Sequence, residues 1–119
     1  MERRYRLRGR TRFLEIRQRG RRWVHPLLVV GVLSNHLDLT RFGFVVSRKL
    51  GKAVERNRIR RCLRELVRTR YRNIAPGWDV VLIARPPIRH ASFEEIGEAV
   101  EDLLRKAGLW QPQEDQIHA

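Results

Sequence analysis

The stretch Lys52–Glu65, KAVERNRIRRCLRE, places Arg56, Arg58, Arg60 and Arg61 within six consecutive positions. Apolar residues just beyond them recur at helical spacing, so these arginines fall in the first turns of a helix. A helix N-terminus already carries about half a positive charge, and cations there cost on the order of a few tenths of a kcal/mol each. A bound phosphate reverses that sign, because free backbone N–H groups and arginines then act on the same anion. The guanidinium fork binds phosphate bidentately and stacks on exposed bases. Asn57 adds a donor and an acceptor for a base edge or a ribose hydroxyl. The chemistry implied is a grip on a phosphate backbone.

Bond-breaking chemistry has weaker support. Metal-assisted hydrolysis wants clustered carboxylates. The acids concentrate instead in Glu94–Asp102, where they read as a solvated helix face and a favourable first-turn partner for the dipole. No Ser/His/Asp order and no phosphate-cradling glycine motif occurs. Cys62 is the only cysteine, which argues against a disulfide framework or a metal cluster. It lies at the edge of an apolar stripe and reads as a small buried hydrophobe. His25, His36, His90 and His118 share no ligand spacing, so no metal site is expected. Trp23 and Trp78 border strands and read as packing, and Trp110, beyond the last helix, reads as either packing back or exposed. No catalytic residue is assigned.

Charge balance agrees with a polyanion partner. The 119 residues carry a formal net charge of +13. Residues 1–72 hold 22 Lys+Arg against 5 Asp+Glu, whereas residues 73–119 hold 4 against 8. Arginine-rich base composition would explain 23 Arg to 3 Lys, but not this segregation. A membrane surface is the other polyanion, yet the longest apolar run, PLLVVGVL, falls far short of the roughly 20 residues a span requires. No apolar segment follows the basic N-terminus as in a secretory signal. The expectation is a cytoplasmic protein with no membrane partner. A hydrophobic content of 42% supports one folded domain over residues 1–119 rather than a basic disordered tail.

The elements that must position these residues follow from periodicity. Residues 1–10 read as a flexible basic arm without a core pattern. Phe13 and Ile16 share a face of a short helix over Thr11–Arg19, stopped by Gly20. Strands are expected at Arg22–Val24 and Leu27–Leu33, with Pro26 favouring an edge or a break. SNHLDLTR then reads as the polar connection of a hairpin to a strand at Phe42–Ser47. RKLGK is a basic loop. Ile59, Cys62, Leu63, Leu66 and Val67 make one apolar stripe on a helix from about Ala53 to Arg72. At 100° per residue, Arg58, Arg61, Arg68 and Arg72 fall opposite that stripe, with Glu65 the one acid among them, Arg64 and Asn57 on a flank and Arg60 near the core edge. A solvated face would mix signs and use i,i+4 pairs; one glutamate among these arginines does not. Asp79–Ala84, rich in β-branched residues, suits a buried strand. Ser92 and Glu95 form a capping box before a last amphipathic helix, stopped by Gly108. From Gln111 the tail, 111–119, reads as frayed. The sum is an α+β sandwich around one four-stranded sheet.

At FGFVVSRKLGKAVERNRIRRCLRELVR, residues 42–68, the sequence resembles the protein subunit of bacterial ribonuclease P, with Arg56-Asn57-Arg58 as the signature triplet. RFLEIRQRG resembles that family's first helix and GWDVVLIARP its last strand, so the likeness spans roughly residues 5–107. It implies an αβββαβα sandwich with a left-handed βαβ crossover, against the usual handedness. It further implies a protein cofactor of a catalytic RNA, a subunit of an endoribonuclease that removes the 5′ leader of precursor tRNA. Magnesium would be held mainly by the RNA, and the protein would be a monomer. By resemblance, Arg48, Lys49, Lys52, Arg56, Asn57, Arg58, Arg60, Arg61, Arg64 and Arg68 contact the catalytic RNA, and Phe13, Arg17 and Arg12 belong to a cleft for the single-stranded leader. The family often has a second aromatic four residues after Phe13, and a tyrosine in the stretch matching PLLVVGVL. Here the first position is Arg17 and the second stretch has no tyrosine, which leaves cleft contacts to Phe13 and arginine. Phe13 reads equally as simple core. Composition alone does not separate this reading from a ribosomal or assembly protein that holds RNA without turnover; a self-sufficient endoribonuclease would need the absent acid cluster.

Overall fold

Alternation along the strands decides the layers, because successive side chains of a strand point to opposite faces. The computed structural model describes residues 2–112. Its elements are α1 (Arg10–Arg19), β1 (Arg21–Val24), β2 (Leu28–Ser34), β3 (Arg41–Val45), α2 (Ala53–Arg70), β4 (Trp78–Ala84) and α3 (Phe93–Lys106). This is the αβββαβα order. Leu28, Val30, Val32, Phe42, Val80 and Leu82 point to one face of the sheet, where Ile59, Leu63, Leu66 and Val67 of α2 and Ile96, Val100, Leu103 and Leu104 of α3 bury them. On the other face Val81 joins Ile16 of α1 and Leu7, with Phe13, Leu33, Val45 and Ile83 partly buried around them. Trp23 and Trp78 pack against the larger cluster, as their positions suggested, and Trp110 packs back onto it too. The capping box of Ser92 and Glu95 is formed, and Gly108, at φ +77°, follows the end of α3.

Strand order corrects one expectation. The sheet runs β1-β2-β4-β3, with β2 antiparallel and β3 parallel to β4. Residues 34–41 therefore do not close a hairpin between β2 and β3. β4 occupies the slot between them because its side chains are apolar on both faces, and such a strand belongs at the centre of a covered sheet. The 35–40 loop lies against the start of β4 instead: Asn35 N donates to Gly77 O at 3.0 Å, and Gly77 N to Leu39 O at 3.1 Å. The local pair is β1 with β2, turned at 25–27, where Pro26 sits.

Three further boundaries differ. The N-terminal segment does have a core contact: Leu7 is buried, its N–H donates to Phe42 O at 2.8 Å, and the Tyr5 ring lies 4.6 Å from that of Tyr71. One leucine among arginines is too little for a periodic signal. The long helix ends at Arg70, followed by a 3-10 turn over Tyr71–Asn73, so Arg72 is not on its arginine face. Gln111, expected in a frayed tail, donates its N–H to Asn73 O at 2.6 Å; 113–119 lie outside the described residues. Among the described residues no helix is long and apolar enough to cross a membrane.

Candidate nucleic-acid interface

The outer face of α2 is the first candidate. Burying Ile59, Leu63, Leu66 and Val67 leaves Asn57, Arg58, Arg61, Arg64 and Arg68 exposed. Arg68 is held by Glu65 through two hydrogen bonds of 3.0 and 2.6 Å, and this pairing keeps the Glu65 carboxyl below the usual carboxylate range. Arg58, Arg61 and Arg64 make no ion pair among the described residues. Arg60 is half-buried: it donates to Asn57 Oδ1 at 3.1 Å and to Val46 O at 3.4 Å, tying α2 to the residue just after β3. Burial pushes the Cys62 thiol up, against the opposing pull of Arg58, so it is a packing group and not a poised thiolate.

The approach to α2 continues the surface. Arg48 and Lys49 are exposed on a 3-10 turn anchored by buried Leu50. Lys52 is the N-cap residue and supplies no side-chain cap, so the first N–H groups of α2 have no side-chain acceptor from it. Glu55, the acid of that first turn, is paired with Arg89 at 3.1 Å. The Nε of Arg56 is buried with no hydrogen-bond partner among the described residues.

The second candidate is a cleft of about 200 Å³ between α1 and the sheet. Phe13, Leu14 and Arg17 of α1 line one wall and Arg22 of β1 the other, over a floor that includes Val29, Gly31 and Ile83. Phe13 is partly buried and lies over Gly43, where a Cβ would collide with its ring. Both readings of Phe13 thus have a physical basis, since it packs on the sheet and still borders the opening. Arg10 and Arg22 also line this cleft, and neither was singled out from sequence.

Arg12 is elsewhere. Its Nε donates to Asp79 Oδ2 at 2.7 Å, one terminal nitrogen donates to Ser34 O at 2.9 Å and the other to Glu15 at 3.5 Å. Asp79 is fully buried and also accepts from Arg41 at 2.8 and 2.7 Å and from Asn35 at 3.0 Å. Burial alone would raise its pKa, but the hydrogen bonds from Arg41, Asn35 and Arg12 outweigh it and hold the carboxyl below its ordinary value. This hub was missed from sequence. The available signal was the lone acid at the head of DVVLIA, since a buried carboxylate needs partners.

Among the described residues no three His, Cys, Asp or Glu side chains come together. The arrangement can hold phosphates on α2 and an unpaired segment in the cleft.

Comparison with known proteins matches this geometry. A family model for ribonuclease P matches residues 1–108. The ribonuclease P protein component of Herpetosiphon aurantiacus is 45% identical, covering 99% of both chains. That of Roseiflexus castenholzii is 44% identical over 93% of this chain and 92% of its own. Among solved structures, the Staphylococcus aureus RNase P protein superposes with a TM-score of 0.83 at 31% identity, covering 90% of this chain and 98% of that one. The Thermotoga maritima RNase P protein gives 0.80 at 35% identity, covering 85% and 96%.

Proposed function

The chain belongs to the ribonuclease P protein component family, and from that premise we propose how its two surfaces divide the work. It is a subunit of ribonuclease P, the endoribonucleoprotein that matures tRNA 5′ ends, and its partner is the RNA of that particle. The outer face of α2, with Asn57, Arg58, Arg61, Arg64 and Arg68, grips the catalytic RNA together with the Arg48, Lys49 and Lys52 approach and the half-buried Arg56 at the start of the helix. The cleft beside Phe13 and Arg17 takes the single-stranded 5′ leader of precursor tRNA, which mature tRNA lacks. Residues 1–119 act as one RNA-binding domain, monomeric and cytoplasmic.

The observation that carries this reading is the separation of two kinds of basic surface. Arg58, Arg61 and Arg64 stand on a helix whose other side is fully committed to the core, as suits the phosphates of structured RNA. Arg10, Arg17 and Arg22 rim an apolar slot on the opposite face of the sheet, as suits a backbone with unstacked bases. In this reading magnesium for the hydrolysis is held mainly by the RNA, while Glu55, Glu65, Asp79 and Glu101 of this chain are each paired with an arginine. Bound to the RNA, it would activate water and stabilise the leaving oxygen; this chain binds and orients.

Cleavage of precursor tRNA with and without the cognate RNA tests the assignment. The protein alone should leave the precursor intact, and with the RNA it should speed leader removal at physiological ionic strength. Cleavage by the protein alone would identify a self-sufficient nuclease. RNA binding without any effect on cleavage would identify an assembly protein.

A further inference from the structure

We infer that Arg12 is a positioning residue for leader recognition: by fastening α1 to the buried Asp79 carboxylate it sets how far Phe13 stands from the sheet across the cleft. The inference rests on the leader reading of that cleft. It replaces a direct leader contact by Arg12 with an indirect one, because every nitrogen of the Arg12 guanidinium already has an acceptor within the protein. The Arg12 side chain is only 21% exposed, and it is absent from the cleft lining.

α1 needs such a tether. Ile16 is its one buried residue, and its N-cap, Gly9, makes no side-chain cap. With Phe13 only partly buried beside Ile16, apolar contact alone fixes the roll of this helix weakly. At 100° per residue Arg12 lies ~40° to one side of Ile16 and Phe13 ~60° to the other, with Arg17 and Arg10 beyond Phe13. Pulling the Arg12 flank onto Asp79 and Ser34 O therefore fixes the height of the opposite flank, the one that walls the cleft. Asp79 is a firm anchor, since Arg41 holds both of its oxygens and Asn35 one of them. The same pairing makes Arg12 separable from the fold: without it, Asp79 keeps the Arg41 fork as a neutral, hydrogen-bonded pair.

The test uses the assembled ribonucleoprotein with precursor and mature tRNA, comparing Arg12→Ala, Arg12→Lys, Phe13→Ala and the double variant Arg12→Ala/Phe13→Ala. Arg12→Ala should lower the precursor-to-mature affinity ratio by about tenfold, the scale of one base stack, while binding of the catalytic RNA is unchanged. Arg12→Lys should recover part of that ratio, since an ammonium reaches Asp79 but cannot hold Ser34 O with it. The double variant should be no worse than Phe13→Ala by more than about twofold, because residues that act through one contact are not additive. The salt slope of precursor binding should stay the same. Additive losses, or a slope reduced by about one phosphate contact, would make Arg12 a direct ligand and overturn the inference. A lowered ratio in Phe13→Ala with an unchanged ratio in Arg12→Ala would overturn it and leave the leader reading standing. An unchanged ratio in Phe13→Ala would remove the leader reading, and this inference with it.

Discussion

The two faces of the sheet are held by different forces. Under α2 and α3 the seal is apolar: Ile59, Leu63, Leu66 and Val67 of one helix and Ile96, Val100, Leu103 and Leu104 of the other meet the sheet with almost no exposed area. Under α1 the apolar contact narrows to Ile16, Leu7 and Val81, and the Asp79 hub carries the rest. Burial is non-directional and grows with area, at about 25 cal/mol per Å², so a face with enough of it can leave its arginines to the solvent. α2 does so. A face with little of it must use directional bonds, so α1 turns Arg12 inward and keeps Phe13 and Arg17 at the opening. Stability and an open cleft compete for the same surface, and the fold assigns them to opposite sides.

That contrast can be broken at its strongest point. Asp79→Ala would leave Arg41 and Arg12 half-buried without their counter-charge, and breaking a buried pair costs about 3–5 kcal/mol, measurable by urea denaturation. The sign with pH follows from the depressed folded pKa of Asp79. Its contribution is fully present above the ordinary carboxylate pKa of about 3.9 and is lost as pH falls through the lower folded value. Asp79→Asn should therefore flatten the acid limb of stability below about pH 4. Parallel acid limbs in the two proteins would show that the hub does not hold the α1 face.

Two phenylalanines sharpen the comparison. Phe42 is 1% exposed on the sealed face, so Phe42→Ala should cost about 3–5 kcal/mol of stability. Phe13, partly buried on the open face, should lose less in a melting experiment, but Phe13→Ala should cost about 1–3 kcal/mol of precursor affinity relative to mature tRNA. Equal stability losses with no change in relative affinity would make both residues core. The smallest change in folding is expected at the outer face of α2. Arg58→Ala with Arg61→Ala should shift stability by less than about 0.5 kcal/mol. The same pair should reduce the salt slope of RNA binding by about 0.9 for each phosphate that is no longer neutralised. A normal salt slope would place the RNA on some other surface.

The sequence made α2 legible because its stripe is long and strongly periodic, and the exposure of Arg58, Arg61 and Arg68 followed from the helix phase, although Arg72 falls past the helix end. α3 was equally clear from its capping box. The placement of β4 was hidden by distance: pattern within residues 34–41 can suggest a turn but cannot reveal that a strand some 40 residues later takes the slot. The Asp79 hub was hidden for the same reason, since Arg12 of α1, Asn35 of a loop and Arg41 of β3 meet only in the folded chain. Arg12 and Arg17 look alike in sequence. Only the helix phase relative to Ile16, fixed by packing, sends one inward and leaves the other at the cleft.

The strand order also sets a schedule. β4 pairs with both β2 and β3, yet it is the last strand to leave the ribosome, since chains emerge N-terminal end first. Until then the turn at 25–27 can close a local pair, whereas β3 has no neighbour in the sheet except the short Arg6 bridge to Phe42. Pairings across such sequence separations are slow to form because the loop must close before the ladder can stabilise it. A ribosome that has delivered residues 1–77 has therefore delivered every arginine of the outer α2 face and only part of the floor on which that helix is mounted.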